Sequence, residues 1–249
     1  KPVISRQKPW LLPGLLVSLV ALYGIATAPV NYVDAQQQQL KENIAANKKA
    51  AEQTQKNANG SDTESTGENS SKATEAEQSV MEKYGLTEAQ VKKAEELEIT
   101  AFGDSVMLDA TADLQEIFPK AVVDGDVGRQ LYESPELIKA LKEKDLLRDT
   151  VLIGLGTNGS FTETQFDNLM KEIGDRKVYW INVRVPTQRW QNEVNSMLEK
   201  MAAKYDNMTL IDWYDLSNEH EEWFYEDRVH PNPDGMLQYF TLVSQAILQ

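Results

Sequence analysis

From Leu97 onward, apolar and polar positions alternate in blocks. Five short apolar or β-branched runs, EITAFGD, AVVDG, TVLIGLG, KVYWINV and MTLIDW, read as strands. Between or after them lie stretches with helical spacing near residues 106–118, 135–144, 163–173, 191–204 and 234–248. Repeated strand–helix units predict a parallel sheet with helices on both faces, a three-layer α/β sandwich over residues 98–249 that is large enough to bury its own core. In such sheets functional groups gather beyond the carboxyl ends of the strands.

The N-terminal part reads differently. Residues 9–33, PWLLPGLLVSLVALYGIATAPVNYV, carry no charge, and at helical rise they exceed the roughly 30 Å of a bilayer's hydrocarbon core. Lys1, Arg6 and Lys8 precede this run and Asp34 follows it, so the expectation for residues 1–33 is a transmembrane helix with a cytoplasmic flank and everything later outside. A cleaved signal is the rival reading, because Ala26-Thr27-Ala28 has the form of a cleavage site, although Pro29 directly after it disfavours cleavage. The chain opens on Lys1 rather than Met, as expected of a piece of a longer protein. Residues 34–79 are rich in Gln, Asn, Ser, Thr, Glu and Ala, with almost no large apolar side chains, and predict a disordered polar tether that stays flexible or only partly helical. Residues 80–97 show weak helical spacing with Thr87 as a cap, a short helical lead-in.

Charge and composition narrow the function. A formal net charge of −14, with no basic stripe in the C-terminal half, argues against a nucleic-acid partner. The absence of cysteine excludes disulfides and Cys-ligated zinc, and two isolated histidines with scattered acids do not make a metal site, so neither metal nor cofactor is expected.

Three predicted strand ends carry unusual residues: Gly103-Asp104-Ser105, Gly125-Asp126-Val127-Gly128-Arg129 and Gly156-Thr157-Asn158-Gly159. Near the C-terminus, YEDRVHPNPDGM places Asp227 three residues before His230, just ahead of the last helix. Ser105 alone suits a helix N-cap as well as a nucleophile at a strand-to-helix turn, and the absence of Gly-x-Ser-x-Gly gives no support to an α/β-hydrolase elbow. A carboxylate three residues before an imidazole can accept its Nδ1–H and leave Nε2 free to take a serine proton. Gly128 and Asn158 could be ordinary turn residues, or could supply a backbone N–H and a side-chain amide to an oxyanion. Their joint placement with Ser105 and the Asp227/His230 pair favours acyl chemistry. His220, in the acid-rich SNEHEEW, reads as a surface residue.

Taken in order, FGDS, VGRQ, GTNG and DRVHPN resemble the four blocks of the SGNH (GDSL-like) hydrolase family, over about residues 99–249. Gly159 stands where many members have Asp. That variant, with DGDVGRQ and VRVPTQRWQNEVN, is more similar to the extracytoplasmic C-terminal domain of Gram-positive peptidoglycan O-acetyltransferases. The resemblance implies a flavodoxin-like SGNH fold, catalysis by Ser105, Asp227 and His230, and an oxyanion site made by Ser105, Gly128 and Asn158. It further implies acetyl transfer through a Ser105 acyl-enzyme to the muramic acid 6-hydroxyl of a peptidoglycan glycan strand. The acetyl group would come from an upstream membrane acyltransferase domain. Arg129, Arg189, Trp190 and Asn195 are the expected substrate-groove residues, with Trp190 equally suited to packing. The alternatives are a membrane-anchored SGNH esterase and a catalytically inactive wall-binding domain.

Overall fold

The computed structural model describes residues 30–59 and 70–249. Most of the stretch expected to cross a membrane, residues 9–29, lies outside them. Among the described residues no helix is long and apolar enough to span a bilayer.

In chain order the elements are α1 (Val30–Asn59), α2 (Ser70–Tyr84), α3 (Glu88–Glu96), β1 (Ile99–Gly103), α4 (Ser105–Asp109), α5 (Thr111–Ile117) and β2 (Val122–Gly125). A 3-10 turn at Leu131–Glu133 leads into α6 (Ser134–Glu143), followed by β3 (Thr150–Gly154), α7 (Glu163–Ile173), β4 (Lys177–Ile181), α8 (Gln191–Lys204) and β5 (Met208–Ile211). The chain ends with α9 (Trp213–Ser217), a 3-10 turn at Glu221–Trp223 and α10 (Pro233–Ile247). The five strands form one parallel sheet in the order β2-β1-β3-β4-β5. This is the doubly wound order in which the chain reverses direction between β1 and β3, so the crevice beyond those two strands is where a ligand site is expected.

Successive side chains of a strand face opposite ways, and the sequence uses both faces. Ile99, Ala101, Leu152, Tyr179 and Ile181 pack with Met107, Leu114, Phe118, Tyr239 and Phe240 from α4, α5 and α10. Phe102, Val151, Ile153, Val178 and Trp180 pack with Ile138, Phe166, Leu169 and Leu198 from α6, α7 and α8. Phe166 stacks on Trp180 at 4.6 Å between ring centroids, both fully buried.

The structure departs from the sequence reading in two places. First, the helical stretch expected over residues 106–118 breaks at Ala110 into α4 and α5. The reason is competition for carbonyls: Thr111 Oγ1 donates to Leu108 O at 2.7 Å and Asn47 Nδ2 donates to Asp109 O at 2.6 Å. Second, the polar segment expected to be a flexible or only partly helical tether is helical over Val30–Asn59 and again from Ser70, and the first of these helices is docked on the domain. Its docking uses few apolar side chains: Ile44 and Ala51 pack with the first cluster and Ala58 against the second. Ala51 and Thr54 are small enough to be buried against β2, the edge strand. There the Val123 N–H donates to Thr54 Oγ1 at 3.0 Å, and Gln55 Nε2 donates to the Val123 carbonyl at 3.0 Å. Two side chains thus satisfy an edge residue's donor and acceptor, groups that are costly to bury unpaired.

Truncating the centre of the second cluster tests the packing. Trp180→Ala should destabilise the domain by about 3–5 kcal/mol, the cost of deleting a large buried aromatic. The check is the urea midpoint; a shift equivalent to under about 1 kcal/mol would show that the site collapses freely.

Candidate active site

Asp104 takes the capping role that Ser105 alone could have filled. Its side chain accepts the Val106 N–H at 3.1 Å and stands as N-cap of α4, so Ser105 becomes the first residue of the helix with its hydroxyl unclaimed by the backbone. The helix lies hard against the sheet. A β-carbon on Gly103 would come 2.5 Å from Met107 Cβ and 2.7 Å from the Gly154 carbonyl. Only glycine at the end of β1 lets α4 start there.

Ser105 Oγ lies 2.9 Å from His230 Nε2, and His230 Nδ1 lies 2.6 Å from Asp227 Oδ2. The other Asp227 oxygen accepts the backbone N–H groups of Val229 and His230, at 2.9 and 3.0 Å. With its oxygens so engaged, Asp227 holds the proton on Nδ1 and leaves Nε2 as the acceptor for the serine hydroxyl. Residues 125 sequence positions apart therefore meet as the hydrogen-bonded serine–imidazole–carboxylate relay expected from their types. The His230 segment is pinned on both sides: its carbonyl accepts the Tyr225 N–H at 3.0 Å, and Asn232 caps α10 through Asp234 and Gly235.

Gly128 follows β2 at φ +75, a left-handed conformation that penalises a side chain. Asn158 follows β3, and its amide donates to the Arg129 carbonyl at 3.4 Å while Gln130 Nε2 donates to the Asn158 carbonyl at 2.8 Å. These bonds tie the loops after β2 and β3 together on either side of β1, at the edge that carries Ser105. One N–H of the Asn158 amide remains beyond the bond to Arg129.

The four residues expected to line a groove separate. Arg129 is buried: it donates to Gly103 O at 3.0 Å and to Asp124 O and Oδ1 at 2.6 and 2.5 Å, with its guanidinium 4.3 Å over the Phe102 ring. Asn195 is buried too, exchanging both bonds of its amide with the Val183 backbone at 2.9 Å. Both side chains are committed to the scaffold beneath the site. Trp190 is half-buried with Nε1 on the Thr157 carbonyl at 3.3 Å, and Arg189 is exposed next to it. His220 is partly exposed, stacked on Trp223 at 3.8 Å and bonded to Glu222.

The sequence reading passed over Arg184. Only 4 % exposed, it lies 3.9 Å over the Phe224 ring and donates to the Arg228 carbonyl at 2.9 Å. Arg228 has φ +61, so Arg184 supports a left-handed turn between Asp227 and His230. The available signal was a cation inside the apolar run INVRVP.

The electrostatics centre on one imidazole. Burial works against charging His230, but the Asp227 hydrogen bond and the Asp227, Asp109 and Asp104 carboxylates outweigh it and raise its pKa. Burial likewise opposes ionisation of Asp227, yet His230 and the two backbone donors hold it below its usual value. Asp104 and Asp109 are both pushed up to about 6, chiefly by desolvation. Among the described residues no group of three or more His, Cys, Asp or Glu side chains is placed to hold a metal ion.

No known family's sequence model matches the chain. Over 150 residues, 60% of this chain and 24% of the relative, it is 39% identical to a Bacillus subtilis protein named "Putative peptidoglycan O-acetyltransferase YrhL". Over 147 residues, 59% of this chain and 23% of the relative, it is 35% identical to peptidoglycan O-acetyltransferase OatA of Listeria monocytogenes. The chain thus spans about a quarter of the length of these relatives. Its fold is similar to the C-terminal catalytic domain of Streptococcus pneumoniae peptidoglycan O-acetyltransferase A, solved with a methylsulfonyl adduct. The TM-score is 0.53 at 20% identity, over 61% of this chain and 91% of that one.

Since His230 must be neutral to take a proton and its pKa is raised, the rate at which a fluorophosphonate labels Ser105 should fall in acid, with a midpoint above the ~6.5 of free histidine. Asp109→Asn removes one of the three acids that face His230 and should move that midpoint to lower pH. A pH-independent labelling rate between pH 5 and 8, roughly the range over which an ordinary His titrates, would contradict the role of His230 as base.

Proposed function

We propose that this domain is a surface O-acetyltransferase that moves an acetyl group through a Ser105 acyl-enzyme onto the muramic acid 6-hydroxyl of peptidoglycan. The observation that carries the chemistry is the Ser105–His230–Asp227 relay, at 2.9 and 2.6 Å, beyond the strands where the sheet order reverses. The choice of acetyl and of a wall glycan rests on the relatives, which are named for that activity.

In the first half-reaction His230 Nε2 removes the Ser105 proton as Oγ attacks the acetyl carbonyl of the donor. The tetrahedral oxyanion is received by the Ser105 and Gly128 backbone N–H groups and by the Asn158 amide N–H not used on Arg129. The intermediate collapses, the donor's oxygen leaves with the proton from His230, and the acetyl ester remains on Ser105. In the second half the sugar hydroxyl gives its proton to His230 and attacks the ester, and Ser105 recovers a proton from His230 as it departs. Trp190, bonded to the Thr157 carbonyl, and the exposed Arg189 next to it would meet the glycan. In the full-length protein the donor would be supplied by a preceding membrane acyltransferase domain, with this domain membrane-anchored on the extracytoplasmic side.

Water in place of the sugar would make the same relay an esterase, and an inert relay would leave a wall-binding domain. Mass spectrometry of Ser105 after exposure to an aryl acetate, with and without a muramoyl-containing acceptor, separates these readings. Transfer predicts an acetyl adduct that passes to the acceptor faster than it hydrolyses. Ser105→Ala should remove both adduct and product while leaving the thermal transition in place, and Asn158→Ala should lower kcat by about 10²–10³, as for loss of one oxyanion donor. Retained turnover in Ser105→Ala would sink the proposal.

A further inference from the structure

The two halves of α1 hold on to the domain in different ways. Its C-terminal half sits on β2 through Ala51, Thr54 and Gln55. The part before it, up to Lys48, reaches over the catalytic edge and touches it through one apolar side chain, Ile44, and otherwise through polar ones. Asn47 Nδ2 donates to the carbonyl of Asp109, the last residue of the helix that begins with Ser105, at 2.6 Å. Asn43 Nδ2 donates to the Tyr225 hydroxyl at 3.5 Å, and the Tyr225 N–H in turn holds the His230 carbonyl. Lys48 pairs with Asp126 at 3.0 Å, on the turn that closes through the Arg129 N–H to the Asp126 carbonyl and contains Gly128.

Between α1 and the His230 loop lies an open cavity of about 390 Å³, bordered by Asn43, Asn47, Asp109, Tyr225, Asn232 and Met236. This part of α1 is therefore held by spaced polar contacts around the single apolar contact of Ile44, not by a continuous packed wall. The contacts differ in weight. Lys48 and Asp126 are each 54% exposed, so that pair contributes little. The Asn47 bond is short, partly buried and made to a carbonyl that the break at Ala110 leaves outside the helical ladder. Asp109 itself is 6% exposed, and its charge acts on His230.

We propose that Asn47 is a positioning residue for acyl transfer: by holding the end of α4 it keeps Ser105, the first residue of that helix, in register with the His230 imidazole. The polar segment before the domain is then a working part of the active site. This inference rests on the acyl-transfer reading for the nature of the reaction and on the α1 contacts for the assignment.

The test uses the full chain, an aryl acetate as substrate and a fluorophosphonate as a probe of Ser105. Asn47→Ala should slow kcat and Ser105 labelling together by about fivefold, the loss of one ordinary hydrogen bond, with KM little changed. Asn47→Asp keeps the shape but turns the donor into a carboxylate facing Asp109, and should slow both at least as much. Thr54→Val, which cuts the fastening on β2, should lower Tm while leaving kcat unchanged at temperatures well below it. The assignment is overturned if both Asn47 variants keep the kcat of the unchanged chain, or if Thr54→Val loses as much kcat as Asn47→Ala. An unchanged chain that forms no Ser105 adduct instead overturns the acyl-transfer reading, and the premise of the assignment with it.

Discussion

The catalytic edge depends on one close approach, that of α4 to the ends of β1 and β2. A β-carbon at Gly103 would collide with Met107 and the Gly154 carbonyl, and one at Gly125 would come 2.9 Å from the Leu108 backbone. The two glycines let the helix rest on the sheet instead of above it, and Asp104 starts it sharply enough that Ser105 emerges at the rim. Arg129 secures the arrangement from below, joining the Gly103 carbonyl to Asp124 on the neighbouring strand. Helix start, nucleophile and oxyanion loop thus share one set of backbone positions. A shift of either strand would move all three together.

Around that rim the charges are uneven. A chain with 39 acidic and 25 basic residues brings three carboxylates to bear on a single imidazole, while Arg184, the buried cation nearby, is turned to the Arg228 carbonyl. In the proposed reaction, the imidazolium that would form as Ser105 lost its proton would meet compensating charge already in place, and no side chain would have to move to supply it. Burial holds two of these acids, Asp104 and Asp109, near the neutral range, so the field at His230 changes with pH by more than its own titration.

How much of this could be read from sequence differs by physical cause. The strands, their parallel sheet and the relay were legible, because short continuous apolar runs and the three-residue spacing of Asp227 and His230 report local geometry directly. Arg129 and Asn195 were expected to line the groove and not to be scaffold, since residue type does not say which way a side chain points. Arg184 was signalled only by a cation in an apolar run. The break at Ala110 depends on Asn47, a donor 62 residues from its partner, and no local pattern encodes it. Helix α1 was misjudged for a related reason. Low apolar content measures the burial a segment can gain, whereas α1 is fastened by hydrogen bonds from Thr54, Gln55 and Asn47, residue types that composition alone assigns to disorder.

The seat of α1 on β2 also bears on how the domain behaves among its own copies. An outer strand with free backbone donors and acceptors is a template on which another chain can add, and it invites aggregation where a protein is concentrated on a surface. With Thr54 and Gln55 occupying Val123, the sheet is blocked at that position by its own chain. The same helix that crosses the catalytic rim thus acts as a guard against self-association, and loosening its seat on β2 would cost the protein solubility.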